Sequence, residues 1–312
     1  MKIIISVWVF VLLLTASKAQ IDTSIAKSGF PIEMLFPQGK TKALILSFDD
    51  GRTEDRQLVK LMNTYGLVGT FHLNSNKLGT NGYVSRDEIK KLFEGHEVSA
   101  HSANHPNLTT LSKIDIVYEI VEDRKELERW MGYPVRGMSY PFGNNNETVI
   151  ETIKGLGIEY ARTVDDSYNF KIPDNFLDWH PTIHLFGKTN YLPNDTDNDK
   201  RELAHFYQLL SNFISTKALG LFYIWGHSWE LGNKWEETEK CFKLLANNSD
   251  IHYTSQISLV DYINAFHNLK FSVDKSVVIN PSALTIYFKI HHKTYSILPG
   301  KTLVVSDYSD AK

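Results

Sequence analysis

The chain has 312 residues, 42% of them hydrophobic, a net charge of -3 with histidine neutral, and a single cysteine. That length allows one barrel-sized domain with a sizeable core plus a small addition. The slight negative charge, without any lysine or arginine cluster, argues against nucleic acid as a partner and gives no push toward strongly anionic substrates. A lone cysteine rules out an intramolecular disulfide, so the core must hold the fold alone.

The first segment, residues 1–19, joins Lys2 to the apolar run Ile3 to Leu14 and ends in Ser17-Lys18-Ala19 before Gln20. This pattern resembles a secretory signal cleaved after Ala19 and predicts a secreted or periplasmic protein. The run is too short for a comfortable membrane span, so no stable span is expected after cleavage. A retained anchor is the alternative.

Ala43 to Phe48 reads as a buried strand, and Arg52 to Tyr65, with Leu58, Leu61, Met62 and Tyr65 at helical spacing, as the helix after it. Asp49, Asp50 and Gly51 therefore sit on a strand-to-helix loop, where α/β barrels carry their chemistry. Asp-Gly alone is also a hairpin signal, but a hairpin needs a second strand here and the sequence offers a helix. Val68 to Leu73 reads as a strand, and Ser85 to Glu88 as a capping box that opens a helix. Glu97 to Ala100 is a short strand ending at His101, and Pro106 stops any helix from running through His105. With 12 histidines in the chain, chance supplies about 0.5 His-x-x-x-His matches, and a second match, His180 and His184, does occur. Strand-end context and a companion carboxylate motif favour His101 and His105, and mark the other pair as a decoy. One aspartate and two histidines from two strand ends, with a fourth position open, suit a catalytic zinc better than a closed structural site. The other carboxylate is left for proton transfer.

Further along, Ser112 to Met131 reads as a long helix, with strands or helices near Gly137 to Ser139, Thr148 to Lys154, Tyr160 to Thr163, Glu202 to Lys217 and Leu221 to Trp225. Gly187 to Asp199 reads as a polar surface loop bordering the mouth. Cys241, in Trp235 to Ala246 with Leu244 and Leu245 nearby, reads as buried packing. After a helix over Leu259 to Leu269, short β-type runs between Phe271 and Val305 suggest a small appendage docked on the barrel as a cap. Repeated βα units favour a barrel over an open sheet.

Taken together, Ser47-Phe48-Asp49-Asp50-Gly51, His101-Ser102-Ala103-Asn104-His105, Ser139-Tyr140-Pro141-Phe142-Gly143 and Trp225-Gly226-His227 resemble, in order, motifs of the polysaccharide deacetylase superfamily, the NodB-homology domain of carbohydrate esterase family 4. The resemblance spans roughly residues 43 to 230, and the joint occurrence is far more specific than any one motif. It implies an α/β fold, a distorted (β/α) barrel of about seven strands, over residues 20–270, leaving 271–312 as the small C-terminal β appendage. It also implies one divalent metal ion, with Zn²⁺ expected, held by Asp50, His101 and His105, which polarises the carbonyl and lowers the pKa of bound water toward ~7. By the same resemblance Asp49 is the general base, His227 the general acid and the backbone N–H of Phe142 an oxyanion donor.

One departure stands out: the family's third motif opens with an arginine that tethers the base, and here Ser139 takes that place. Arg162, at the end of the next strand, and Arg136 are the candidates to replace it, Arg162 being favoured because strand ends face the mouth. Asp178, in an Asp-Trp element like the family's, is expected to pair with Arg162. Tyr140, Phe142, Trp179 and Trp225, with Trp229, are candidates for a sugar-binding wall, core packing being the equally simple alternative for each. The expected partner is an N- or O-acetylated poly- or oligosaccharide. A carbon–nitrogen hydrolase of small amides or imides on the same fold, and a non-catalytic glycan-binding protein, are the alternatives.

Overall fold

The computed structural model describes residues 32–186 and 196–305. The segment read as a secretory signal, and most of Gly187 to Asp199, read as a polar surface loop, lie outside the described residues. In chain order the elements are β1 (Ile32–Leu35), β2 (Lys42–Asp50), α1 (Asp55–Thr64), β3 (Thr70–Leu73), α2 (Ile89–Leu92), β4 (Glu97–Ala100), α3 (Lys113–Met131), β5 (Gly137–Ser139), α4 (Glu147–Gly155), β6 (Tyr160–Arg162) and β7 (Ile183–His184). There follow α5 (Thr196–Ser215), β8 (Gly220–Gly226), α6 (Trp235–Leu245), β9 (Ile251–Tyr253), α7 (Gln256–His267), β10 (Lys270–Phe271), β11 (Val277–Ile279), β12 (Ile286–Ile290), β13 (Lys293–Ile297) and β14 (Thr302–Val304). Helix α5 begins at Thr196, so the end of the polar segment read as loop is helical: Asn and Asp at a helix start serve the first turn as well as they serve a loop.

The main sheet runs β6-β5-β4-β3-β2-β8-β7 with every pair parallel, and β9 pairs with the first residues of β2. Strand β2 is buried on both faces, which explains its near-continuous apolar run. Leu44, Leu46 and Phe48 point outward into a core shared with Leu58 and Met62 of α1, whereas Ala43 and Ile45 point inward toward Tyr223 and Trp225. The inward face turns polar only at Ser47 and Asp49, near the strand's end. That alternation with a polar finish is what places a carboxylate at the mouth of an apolar barrel.

The sheet curls until its edges meet through one segment. Trp179 N–H donates to Ala161 O of β6 and Thr163 N–H to Trp179 O, while Thr182 N–H donates to Tyr223 O of β8 at 2.8 Å. Residues 179–184 therefore join β6 to β8, closing a distorted barrel of seven strands. Trp179 is the plug of this seam. It is 1% exposed, with the rings of Phe176, Tyr160 and Tyr223 at 5.1–6.0 Å.

Local signals set the flanking helices. Ser112 caps α3 through Asp115 N–H, Gly132 ends it at φ 80°, and Asn146 caps α4 through Val149 N–H. The appendage consists of two three-stranded sheets, β1-β12-β13 and β10-β11-β14. Their inner residues Ile286, Phe288 and Val278 join Leu259, Val260 and Ile263 of α7 and the inward residues of the barrel in one core. Strand β1 pairs antiparallel with β12, Ile32 opposite Ile290, so the appendage is built from both sides of the boundary that the sequence suggested at residue 270.

Candidate active site

Asp49 and Asp50 end β2, His101 follows β4, Ser139 ends β5, Arg162 ends β6 and His227 follows β8. All reach the same end of the barrel because the strands are parallel. Asp49, Asp50, His101 and His227 line a cavity of about 400 Å³ whose walls include Tyr140, Phe142, Trp225 and Trp229.

Asp50, His101 and His105 offer ligand atoms that all lie within 4.8 Å of one another. Both histidine Nε2 atoms are 3.9 Å from Asp50 Oδ1. The Nδ1 of His101 lies 2.9 Å from Ser139 O, which fixes the tautomer and turns Nε2 toward the carboxylates. Burial lowers the pKa of both imidazoles, His105 to about 4 with help from the His101 charge, so both are neutral and able to ligate at neutral pH. One carboxylate and two neutral imidazoles facing one point fit a divalent cation with open coordination positions.

Asp49 is buried and held at both oxygens. Oδ1 accepts from Ser139 Oγ at 3.1 Å, and Oδ2 accepts from Arg162 Nη2. Burial alone would raise its pKa; the Arg162 charge, with His101, more than reverses this and holds the carboxyl well below the usual range. Ser139 Oγ also lies 2.7 Å from His101 Nδ1, so one hydroxyl spans the base candidate and a ligand candidate.

The register explains how Arg162 takes over from the arginine that the resemblance leads one to expect at Ser139. Ser139 and Arg162 are direct partners on neighbouring parallel strands. The guanidinium therefore arises one strand away at the same height, completely buried, with Nη1 donating to Thr163 O at 2.8 Å and its plane 4.5 Å from the Trp225 ring. Arg136 instead pairs with Glu159 and Asp261, away from the cavity. Asp178 does not meet Arg162: it accepts from Asn145 Nδ2 at 2.9 Å and faces His180, because the turn Phe176–Asp178 points it outward.

Trp179 is not a cavity wall; closing the barrel buries it. Tyr140 and Trp225 are wall residues with their polar ends tied back, Tyr140 Oη to Leu177 O at 2.6 Å and Trp225 Nε1 to Asp166 at 2.8 Å. Phe142 is 58% exposed and meets the His105 ring edge-on at 4.6 Å. Trp229 Nε1 donates to Asp50 Oδ2 at 2.9 Å. His180 and His184 part company, His180 Nδ1 lying 2.6 Å from Thr163 Oγ1 and His184 Nε2 lying 2.9 Å from Glu230 Oε2.

Three acidic residues around the site escaped the reading of the sequence. Glu230 Oε1 is 3.1 Å from His227 Nδ1, and this contact raises the His227 pKa despite the opposing effect of burial. The spacing His227-x-x-Glu230 just past a strand was the available signal. Asp123 accepts His101 N–H and Ser75 N–H, each at 2.8 Å, while Glu119 accepts both Asn104 N–H and Asn104 Nδ2. These two acids are one helical turn apart on the buried side of α3, and that spacing was visible too. They pin a strained loop. Asp50, Ser102, His105 and Phe142 all have positive φ, 61–82°, an uncommon backbone state for such residues that clusters at functional sites.

Residues 37–161 match the polysaccharide deacetylase family. A peptidoglycan-N-acetylglucosamine deacetylase of Listeria monocytogenes is 31% identical over 155 residues, 47% of this chain and 32% of that protein. A chitin deacetylase of Pestalotiopsis sp is 25% identical over 42% of this chain and 45% of that protein. The chain thus spans less than half the length of either relative. Among solved structures, one from Mycobacterium smegmatis aligns with TM-score 0.55 and 14% identity over 75% of this chain and 94% of its own. The chitin deacetylase of Colletotrichum lindemuthianum aligns with TM-score 0.51 and 21% identity over 71% and 88%. These two likenesses concern the fold. The four motifs gather at one barrel mouth, and residues 37–161, about two fifths of the chain, are similar to the polysaccharide deacetylase family.

Proposed function

We propose that this chain is a metal-dependent hydrolase that removes acetyl groups from an N- or O-acetylated glycan outside the cytoplasm. The observation that carries the reading is the pairing of two functions across one cavity: a clamped carboxylate, Asp49, beside the Asp50, His101 and His105 triad, and a carboxylate-backed imidazole, His227, among the same cavity walls. Deacetylases named in the comparison act on peptidoglycan and chitin, which supports an acetylated glycan as substrate. The Lys2-to-Ala19 segment supports export.

A divalent cation such as Zn²⁺ on Asp50, His101 and His105 would supply Lewis acidity to the acetyl carbonyl and to a water molecule. Asp49, kept ionised by Arg162 and Ser139, accepts a proton from that water. Phe142, turned into the left-handed region, offers its backbone N–H to the developing oxyanion. His227 has Nδ1 against Glu230, which leaves Nε2 to deliver a proton to the departing amine or alkoxide. Tyr140, Trp225 and Trp229 shield the reacting acetyl group from bulk water.

The test combines elemental analysis with acetate release from acetylated chitin, peptidoglycan and xylan fragments. About one metal ion per chain, lost in Asp50→Ala and His101→Ala, with turnover abolished but metal kept in Asp49→Asn, is the expected outcome. Glycan binding without turnover in the intact, metal-loaded protein would sink the enzyme reading. Turnover of small amides alone would favour the carbon–nitrogen hydrolase.

A further inference from the structure

The cavity mouth carries a charge arrangement that the overall composition hides. Lys77 and Tyr83 line the cavity beside His105 and Asp50. The Lys77 ammonium lies 5.7 Å from the Tyr83 ring centre and the Arg52 guanidinium 4.7 Å from it, so one tyrosine carries two cations. No carboxylate among the described residues pairs with either cation, and Arg52 Nε is buried without a hydrogen-bond partner. Of the cavity's own carboxylates, Asp49 is paired with Arg162, and Asp50 accepts from Trp229 Nε1 and faces the two candidate histidine ligands.

The backbone beneath the cations is held in place. The loop that bears Lys77 and Tyr83 is bonded to the residues just after Asp50: Thr53 N–H to Gly82 O at 3.1 Å and Val84 N–H to Gly51 O at 3.0 Å. Gly79 N–H closes the loop on Val84 O at 2.8 Å. At Gly82 a side chain would press on Arg52, its Cβ only 3.2 Å from Nη2, and φ there is +83°; glycine lets the guanidinium lie against the backbone. Lys77 thus stands on the cavity wall beside the candidate metal ligands, while Arg52, outside that lining, adds a second positive charge behind Tyr83. They are far apart in sequence, which is why no basic cluster was visible there.

We propose that Lys77, beside Tyr83 and backed by the charge of Arg52, forms a subsite for an oxyanion of the substrate, so that the acetylated glycan carries a carboxylate or phosphate close to the scissile acetyl group. This rests on the deacetylase reading and narrows it to anionic glycans.

The test compares kcat/KM for metal-loaded full-length protein on three acetylated substrates. These are a neutral N-acetylglucosamine tetramer, a peptide-free strand alternating N-acetylglucosamine with N-acetylmuramic acid, and an acetylated glycan bearing phosphodiesters. The expected result is a preference for one or both anionic substrates of about tenfold or more, expressed mainly in KM. That preference should fall by about tenfold in Lys77→Met, invert in Lys77→Glu and persist in Lys77→Arg. The larger preference identifies whether carboxylate or phosphate is read. A neutral substrate preferred by the intact protein, or a preference unchanged in Lys77→Glu, would overturn the subsite. Should no glycan be turned over, calorimetric binding of the carboxylate-bearing strand decides the matter separately. Tighter binding to the intact protein than to Lys77→Glu upholds the subsite, and equal or absent binding removes it.

Discussion

Arg162 and Asp49 form a buried pair of opposite charges, and such a pair costs more to break than to keep. Under the proposed mechanism, Arg162→Met should cut acetate release by about a hundredfold or more, because the base loses both its orientation and the charge that keeps it ionised. The same change should lower stability by roughly 3–5 kcal/mol through the stranded carboxylate. Arg136→Met, at a surface ion pair, should leave the rate within about twofold. Steady-state rates and thermal melts on the two variants separate these outcomes. Glu230 acts on the other side of the cavity. It raises the His227 pKa, and the acid must be protonated to work, so Glu230→Gln should draw the alkaline limb of the rate profile to lower pH. A pH profile with an unmoved alkaline limb would show that Glu230 does not position His227. Which residues face the site was legible where strand ends set direction, as for Asp49, His101, Arg162 and His227. It was not legible at Trp179 and Asp178, because the 3₁₀ turn Phe176–Asp178 fixes which of two neighbours points inward, and periodicity says nothing about a single short turn.

Helix α3 does more than cover the sheet. Its buried face delivers Glu119 and Asp123 to the loop that carries both candidate histidine ligands, and each acid accepts two N–H groups of the residues it anchors. An amide cannot replace Asp123 there, since its NH₂ would confront a backbone donor. Asp123→Asn should therefore destabilise the protein by about 1–3 kcal/mol and weaken metal retention, with thermal melts and metal stoichiometry as readouts. Glu119→Gln, whose amide can keep one of the two bonds, should cost less in both. The sequence showed this helix clearly, from Ser112 at its cap to Met131, because capping and length are local properties. The purpose of its acids was not local. It depends on a loop threading over the helix, and only the packed fold brings Asn104 and His101 within reach.

Across the whole molecule, stability responds to acid through partly buried histidines, one of them far from the cavity. His96 lies at the end away from the cavity, with its Nδ1 accepting Gly69 N–H and its Nε2 beside Asn63 Oδ1, both at 3.0 Å. Burial lowers its pKa to about 4. The unfolded chain thus binds the proton first, so stability present above about pH 6.5 is lost as pH falls toward 4, by roughly 1–2 kcal/mol after allowing for partial exposure. Denaturation midpoints at about pH 7 and pH 5 should show this loss in the intact protein and a smaller one in His96→Gln. The order of synthesis adds a constraint of its own. Strand β1 is among the first described residues to be made, yet its only strand partner among the described residues, β12, is made after the barrel. During translation β1 must wait as an unpaired edge while the whole barrel emerges. A chain cut at residue 270 would leave it waiting permanently, exposing a row of backbone donors and acceptors that invites pairing with another copy.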